Sequence, residues 1–173
     1  MTADSTQISH HIEVEHLWKV FGRNPMSALA PENVEKSRSE IQSEFDQVVA
    51  LKDVSFNVKR GETFVVMGLS GSGKSTLVRH INRLLEPTLG NILIDGQNVM
   101  SFDKQKLQDF RNKKIGMVFQ NFALMPHRSV IDNIAMPLEI RGVNKNQRYK
   151  KANEILNLVE LQGWGNKYAH ELS

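Results

Sequence analysis

A glycine-rich loop at residues 68–76 constrains the fold more than any other stretch of this chain. It consists of Gly68, Leu69, Ser70, Gly71, Ser72, Gly73, Lys74, Ser75 and Thr76. This spacing is that of a P-loop, a motif that requires a strand before it and a helix after it. The apolar segment Phe64–Met67 and a helical pattern beginning near Lys74 supply both. The sequence therefore predicts an α/β protein that binds phosphate groups.

The residue types in the loop suit the phosphates of a nucleotide. Glycines let the backbone curl so that successive N–H groups point at an anion, and the following helix adds its positive N-terminal end. We expect Lys74 to reach the terminal phosphates and the Ser75 hydroxyl to ligate Mg²⁺. The loop alone fits kinases, small GTPases and motor-type ATPases equally well.

Composition and charge exclude several classes of protein. The 173 residues, of which 40% are hydrophobic, are enough for one globular domain. The net charge is +3, with basic and acidic residues scattered along the chain, so no nucleic-acid partner is predicted. The chain contains no cysteine, which excludes disulfides and thiolate metal sites. A polar N-terminus and the lack of a long apolar run predict a cytoplasmic protein.

Apolar patterns predict two kinds of strand. Residues 12–15 and 54–58 alternate apolar and polar side chains, which predicts strands with one solvent-exposed face. Residues 64–67 and 115–119 are almost continuously apolar, which predicts strands buried on both faces, 64–67 as a central strand of a parallel sheet. The turn Asp95-Gly96, which follows an alternating segment, predicts a small antiparallel edge unit.

The stretch between the first two predicted strands, residues 23–49, has the pattern of an amphipathic helical insertion. Pro31 stands at a plausible first helical position, and acidic residues follow in the first turn. The apolar face of this predicted helix consists of Val34, Ile41, Phe45 and Val48.

The second half of the chain is predicted to be mostly helical. Lys104–Asn112 has a helical pattern, and Ser129 is a plausible N-cap for a helix that Pro137 ends or kinks. A further amphipathic helix, Tyr149–Val159, is predicted to stop at Gly163.

The order of these motifs resembles the ATP-binding subunit of an ABC transporter. Phe21-Gly22 lies upstream of the P-loop, an apolar strand ends in Gln120, and Glu171-Leu172-Ser173 follows the predicted helices. Four features further resemble the uptake systems for glycine betaine, proline and related quaternary amines. They are residues 82–88, residues 119–127, the residues of the P-loop and the helical insertion. The resemblance covers almost the whole chain.

The resemblance implies roles for residues outside the P-loop. Phe21 would stack on adenine, and Gln120 would ligate Mg²⁺ together with Ser75, so that ATP and Mg²⁺ are the implied cofactors. A core position for Phe21 or Trp18 and a solvated loop position for Gln120 are the alternatives. The apolar residues from Phe122 to His127 would receive a helix of the membrane subunit or, alternatively, pack within the helical subdomain.

The resemblance also implies an organisation and a set of partners. The fold would be an α/β P-loop NTPase with an antiparallel β subdomain, and residues 1–173 would form the N-terminal part of one nucleotide-binding domain. Residues 23–49 would be a helical insertion, and residues 121–173 would begin the helical subdomain. The implied partners are a membrane-spanning permease subunit, a second ATP-binding subunit in a homodimer, and a periplasmic or extracellular substrate-binding protein, with this chain on the inner face of the cell membrane.

Part of the family's pattern does not occur in these residues. The Leu-Ser-Gly-Gly motif begins at Leu172-Ser173, and neither the catalytic glutamate nor the switch histidine follows. We therefore expect a truncated chain with an incomplete core sheet, marginal stability and no efficient hydrolysis alone. The implied function is to couple ATP binding and hydrolysis to uptake of a quaternary amine. A non-catalytic nucleotide-binding fragment and a P-loop small-molecule kinase are the alternatives.

Overall fold

The structure is a computed structural model that describes residues 10–119 and 124–172. The chain divides into two compact units, and the boundary falls between Gly116 and Met117. The first unit contains a β-sheet with helices, and the second unit is helical.

The first unit is built on a four-stranded antiparallel sheet. Its strands are β1 (His10–Phe21), β2 (Val48–Lys59), β3 (Leu89–Ile94) and β4 (Gln97–Asn98). Their order in the sheet is β2-β1-β3-β4, and each neighbouring pair is antiparallel. The alternating segments at residues 12–15 and 54–58 lie in β1 and β2, and the turn at Asp95-Gly96 joins β3 to β4, so these predictions are confirmed.

The alternation places one set of side chains of the sheet in a core shared with two helices. The helices are α2 (Lys74–Ile81) and α3 (Lys104–Lys114). Leu77 of α2 and Phe110 of α3 belong to the same buried cluster as Leu17 and Ile92 of the sheet. Because Leu17 and Ile92 are fully buried, this contact holds the helix that follows the P-loop against the sheet.

The insertion between β1 and β2 is only partly helical. It contains a 3₁₀ turn at Pro25–Leu29 and the helix α1 (Arg38–Phe45). Pro31 lies in a turn before α1 and not at its first position, so that prediction was wrong. The helix is capped instead by Ser37, whose hydroxyl accepts from the Glu40 amide while the Glu40 carboxylate accepts from the Ser37 amide, a reciprocal capping arrangement.

The predicted apolar face of the insertion is correct at three positions and wrong at one. Ile41 is buried, and Val34 and Phe45 pack against the cluster that contains it. Val48 already belongs to β2 and is 51% exposed, because the chain returns to the sheet before the helical pattern ends.

The two continuously apolar segments do not form strands among the described residues. Phe64–Met67 and Ile115–Phe119 have no strand pairing, and Met67 and Val118 are 86% and 98% exposed. The prediction of a parallel sheet is therefore wrong for the described part of the chain. An apolar segment becomes a central strand only when partner strands are within reach on both sides.

The second unit consists mainly of α4 (Val130–Ile140) and α5 (Lys145–Leu158), followed by a 3₁₀ turn at Ala169–Glu171. Ser129 and Asn144 cap the two helices with their side chains. Pro137 lies inside α4, which continues for three residues; it does not end the helix, because a proline there removes only one hydrogen bond of the last turn.

The end of α5 differs from the prediction as well. The helix stops at Leu158, before Gly163, because Glu160 adopts a left-handed conformation (φ 58°) and the Leu161 amide donates to the Leu156 carbonyl at 2.8 Å. None of the described helices is both long and apolar enough to cross a membrane.

Candidate functional site

The P-loop is seated on strand β2 at two points. Upstream of the loop, the ring of Phe64 stacks on Phe56 with centroids 4.8 Å apart and planes at 9°. At its end, Gly73 caps α2 with a left-handed φ of 97°. A Cβ atom at Gly73 would lie 2.5 Å from the Ala50 carbonyl oxygen, so only glycine permits this close approach.

Lys74 lies over the loop that precedes it. Its Nζ atom donates to the carbonyl oxygens of Gly68 at 2.8 Å and Leu69 at 2.7 Å, and the Ser72 hydroxyl lies at 3.4 Å. The loop is further closed by a turn in which the Ser72 amide donates to the Leu69 carbonyl at 3.2 Å. The Lys74 ammonium therefore lies directly at the loop, where an anion would bind.

The remaining loop residues are arranged around the start of α2. Ser75 is exposed in the first turn of the helix, whereas Thr76 is half-buried. Leu69, Ser70 and Gly71 are exposed at the tip of the loop. The structure thus brings the residues predicted at 68–76 together in one loop and leaves the Ser75 hydroxyl accessible to a ligand.

A buried histidine holds the far end of α2. His80 is fully buried, and its Nδ1 atom lies 2.6 Å from the Thr76 carbonyl oxygen, which makes Nδ1 the protonated nitrogen. Burial lowers the pKa of His80, and the nearby Lys19 ammonium contributes in the same direction. This histidine is a neutral core residue.

Phe21 lies at the end of β1, one strand away from the seat of the P-loop. It pairs with Val48 of β2, two residues before Ala50, whose carbonyl approaches Gly73. With strands about 4.8 Å apart and about 3.4 Å per residue, the backbone of Phe21 is within roughly 10 Å of that seat. Its ring is 40% exposed, whereas Trp18 is buried at 7%. The core alternative therefore fits Trp18, and the ring of Phe21 is accessible to a ligand.

A lysine that sequence reasoning missed lies beside this ring. The Nζ atom of Lys19 is 4.9 Å from the centroid of Phe21 and donates to the Glu86 carbonyl oxygen at 2.8 Å. Lys19 and Phe21 are two residues apart on one strand, and side chains at that spacing share a face of a sheet. The two-residue spacing between Lys19 and Phe21 on a predicted strand was therefore a signal in the sequence that Lys19 lies beside the ring.

The insertion leaves and rejoins the sheet directly beside Phe21. Gly22 has φ 146°, and a Cβ atom there would lie 2.7 Å from Cγ of Gln47. The buried Gln47 side chain donates to the Asn24 carbonyl at 2.6 Å and to the Ser27 hydroxyl at 2.9 Å. These contacts close the base of the insertion and fix the backbone at the Phe21 end of β1.

Residues 82–88 connect α2 to α3 and to the sheet. The Arg83 guanidinium donates to the carbonyls of Val99 at 3.1 Å and Phe102 at 2.7 Å, and Arg111 donates to the Asn82 carbonyl at 3.0 Å. The Thr88 hydroxyl accepts from the amide of Val20 at 3.0 Å. The motif that suggested a family resemblance therefore has a structural role next to the P-loop helix.

Gln120 lies outside the described residues, as does Phe122, and the structure adds nothing on either.

The segment from Leu124 to Arg128 is held by Asn133 of α4, which sequence reasoning missed. Its amide oxygen accepts from the Met125 amide at 2.7 Å, and its Nδ2 atom donates to the carbonyls of Met125 and Arg128 at 3.1 Å. Leu124 and Met125 remain 51% and 37% exposed on this segment.

The loop residues fit the phosphates of a nucleotide and an accompanying Mg²⁺. The described residues contain no group of three histidine or acidic side chains that could form a metal site of their own. Mg²⁺ commonly binds through one or two protein oxygens, phosphates and water, so a protein cage is not required. The Ser75 hydroxyl is an oxygen of this kind, and Lys74 supplies a cation beside it.

Comparisons with known proteins agree with this geometry. A glycine betaine transport ATP-binding protein of Bacillus subtilis (strain 168) is 46% identical over 173 residues, which is all of this chain and 41% of that protein. A glycine betaine/proline betaine transport system ATP-binding protein of Escherichia coli (strain K12) is 44% identical over 94% of this chain and 40% of its own length. The chain thus spans about two fifths of the curated relatives it matches.

Solved structures and a family model support the same assignment. A dimeric bacterial ABC transporter cassette superposes with a TM-score of 0.72 at 31% identity, covering 94% of this chain and 63% of that one. The fold class predicted from the sequence, an ABC-type P-loop NTPase with an antiparallel subdomain, is thereby confirmed. The family model described as "ABC transporter" matches residues 51–173, which include the P-loop and everything after it. The chain therefore belongs to the ABC transporter family.

Proposed function

We propose that this chain is part of the ATP-binding subunit of an ABC importer for glycine betaine, proline or a related quaternary amine. The observation that carries the proposal is the P-loop, in which Lys74 lies over the carbonyls of Gly68 and Leu69 at the start of α2. The relatives named as glycine betaine and proline betaine transport proteins support the choice of substrate class. ATP binding and hydrolysis would drive uptake through the membrane subunits.

The phosphates of ATP would be held by the backbone of residues 68–76 and by Lys74. In the structure, the Lys74 ammonium is bound to loop carbonyls, so it exchanges these acceptors for phosphate oxygens when ATP binds. The bound Mg²⁺ would offset phosphate charge, with Ser75 and Gln120 as its protein ligands. Phe21 would stack on adenine, because its ring is accessible at the end of β1.

The domain organisation follows from the same proposal. Residues 1–173 would be the N-terminal part of one nucleotide-binding domain, with a helical insertion at 23–49 and a helical subdomain starting at 121. The partners would be a membrane-spanning permease subunit, a second ATP-binding subunit and a substrate-binding protein outside the membrane. The exposed Leu124 and Met125 support a contact with the permease at the inner face of the membrane.

Efficient turnover would need an acidic residue that orients the attacking water and a histidine that contacts the γ-phosphate. The family resemblance implies that both follow the Leu-Ser-Gly-Gly motif that begins at Leu172-Ser173. We therefore propose that this stretch binds ATP and hydrolyses it poorly when alone. Membership in the ABC transporter family speaks against the small-molecule kinase.

Calorimetric titration of Mg-ATP into the 173-residue chain tests the nucleotide site. We expect Lys74→Ala to weaken binding at least tenfold, since it removes the cation of the loop. Lys151→Ala, on an exposed face of α5, is the matched control and should leave the affinity unchanged. Equal affinities for the wild type and Lys74→Ala would overturn the proposed site.

Measurement of ATP turnover separates the two remaining functions. A wild-type rate above that of Lys74→Ala would identify an active ATPase. Identical rates together with tight binding of ATP would identify a non-catalytic nucleotide-binding fragment.

A further inference from the structure

Lys19 lies beside the aromatic ring proposed to hold the base of the nucleotide. Its ammonium is 4.9 Å from the centroid of the Phe21 ring, a distance at which a cation is attracted to an aromatic face. The same ammonium donates to the backbone carbonyl of Glu86 at 2.8 Å. Glu86 belongs to the segment that follows the P-loop helix α2.

We propose that Lys19 is a positioning residue that holds the Phe21 ring as a platform for the base of the bound nucleotide. This inference rests on the function proposed above and assigns a role to a residue that does not contact the phosphates. A cation on one face restrains the orientation of a half-exposed ring and leaves the rest of the ring accessible to a flat base.

The anchor of Lys19 is itself fixed. Glu86 is ion-paired to Arg83 with Nε and Oε1 2.8 Å apart. Arg83 in turn donates to the carbonyls of Val99 and Phe102. The ammonium is thus tied to the segment that ends α2, the helix whose first residue is Lys74. Lys19 therefore links the platform for the base to the segment that ends the P-loop helix.

This arrangement predicts that Lys19 contributes to the binding of the base of the nucleotide and not to the binding of its phosphates. A base-free ligand with the same phosphate chain, inorganic tripolyphosphate, would use Lys74 and the loop but not Phe21. Removal of Lys19 should weaken the binding of ATP while leaving tripolyphosphate unaffected. A purely structural role of Lys19 would weaken both ligands equally.

The experiment is calorimetric titration of Mg-ATP and Mg-tripolyphosphate into the 173-residue chain and its variants. We expect Lys19→Met, which keeps the aliphatic stem, to weaken ATP binding roughly three- to tenfold and tripolyphosphate binding by less than about twofold. Lys19→Arg retains a cation and a donor and should restore most of the affinity for ATP. In a Phe21→Ala background, Lys19→Met should cause no further loss, because the ring it positions is absent.

Two results would overturn the inference: equal weakening of both ligands by Lys19→Met, or additive losses in the double variant. If Lys19→Met lowers the melting temperature, Lys19→Gln replaces it, because an amide still donates to the Glu86 carbonyl but carries no charge to the ring. Lys74→Ala separates this inference from the proposed function, since it should weaken both ligands. An unchanged affinity of Lys74→Ala for both would refute the phosphate site itself.

Discussion

The alternating strands of the first unit and the continuously apolar segment Phe64–Met67 differ sharply in burial, although the segment is the more apolar of the two. Ile92 and Ile94 of β3 are 0% and 7% exposed, whereas Val65 and Met67 are 68% and 86% exposed. The difference follows from pairing. β3 has partner strands on both sides, and Phe64–Met67 has none among the described residues.

This contrast teaches that an apolar pattern predicts what a segment can bury and not whether it is buried. Burial of a strand needs hydrogen-bond partners for its backbone and a layer over its face. The antiparallel strands find both their hydrogen-bond partners and their covering layer within residues 10–110. The turn after β3 and the insertion after β1 each bring the chain back beside the strand it has just left. In Phe64–Met67, Phe64 stacks on Phe56, while Val65 and Met67 stay exposed.

The largest expected effect is a cavity in the paired sheet. Ile92→Ala should lower the free energy of unfolding by about 2–5 kcal/mol, because it empties a fully buried position in the main core. Val65→Ala removes methyl groups from the unpaired segment and should cost less than about 0.5 kcal/mol. Urea unfolding followed by circular dichroism compares the two, and similar losses would mean that Val65 is buried in solution.

The second prediction concerns the seat of the P-loop. Gly73→Ala should destabilise the chain by roughly 2 kcal/mol or more, because the new methyl group would meet the Ala50 carbonyl and the backbone has positive φ. Gly61 also has positive φ but nothing within 4 Å of a Cβ atom. Gly61→Ala should therefore cost only about 1 kcal/mol. Equal costs in thermal unfolding would show that strain, and not the contact with β2, makes glycine necessary at Gly73.

The third prediction concerns the buried histidine at the end of α2, His80. The pKa of His80 is lowered mainly by burial, so the unfolded chain binds a proton more readily than the folded chain. Stability should be complete above the ordinary histidine pKa of about 6.5 and should fall as the pH drops below it. Urea unfolding at several pH values should show this slope in the wild type but not in His80→Gln.

Carboxylates give a separate control for this pH dependence. Hydrogen bonds from partner side chains lower the pKa of Asp95, chiefly from His11, and of Glu139, chiefly from Arg128. Their contributions are present above the ordinary carboxyl pKa and are lost at lower pH. A loss confined to pH values below about 4.5 would therefore be due to carboxylates and would contradict the role of His80.

The smallest expected change in unfolding free energy is at the exposed segment Phe64–Met67. A substitution there should instead change the self-association of the chain. Met67→Lys should leave unfolding nearly unchanged and reduce self-association, because it places a charge in an apolar segment with an open edge. Gln105→Lys adds the same charge on an exposed face of α3 and serves as the control. Light scattering after size exclusion measures both, and equal association would show that residues 64–67 are not the contact.

Sequence patterns predicted local elements well and long-range pairing poorly. The capped helix at Ser129 and the hairpin at Asp95-Gly96 were predictable, because their signals lie within a few residues. The helix cap at Ser37 is also encoded locally, through Glu40 three residues later, although Pro31 is the more conspicuous signal. Whether Phe64–Met67 pairs with other strands depends on distant residues, which no local pattern reports.

The candidate site divides in the same way. The identity of the P-loop residues, including Lys74 and Ser75, followed from motif spacing, because a phosphate cradle needs particular residue types in a fixed order. Lys19 and Gln47 acquire their places only when β1, β2 and the segment after α2 come together. Asn133 likewise clamps the Met125 segment only once α4 has formed.

The sequence by itself determined the phosphate loop, the helix that follows it and the alternating strands, because each depends on residue type and short-range spacing. Tertiary structure alone decided which apolar segments are buried, where the Lys74 ammonium lies and what holds the Phe21 ring. The physical reason is that burial and hydrogen bonding between distant segments depend on which partners fold against them.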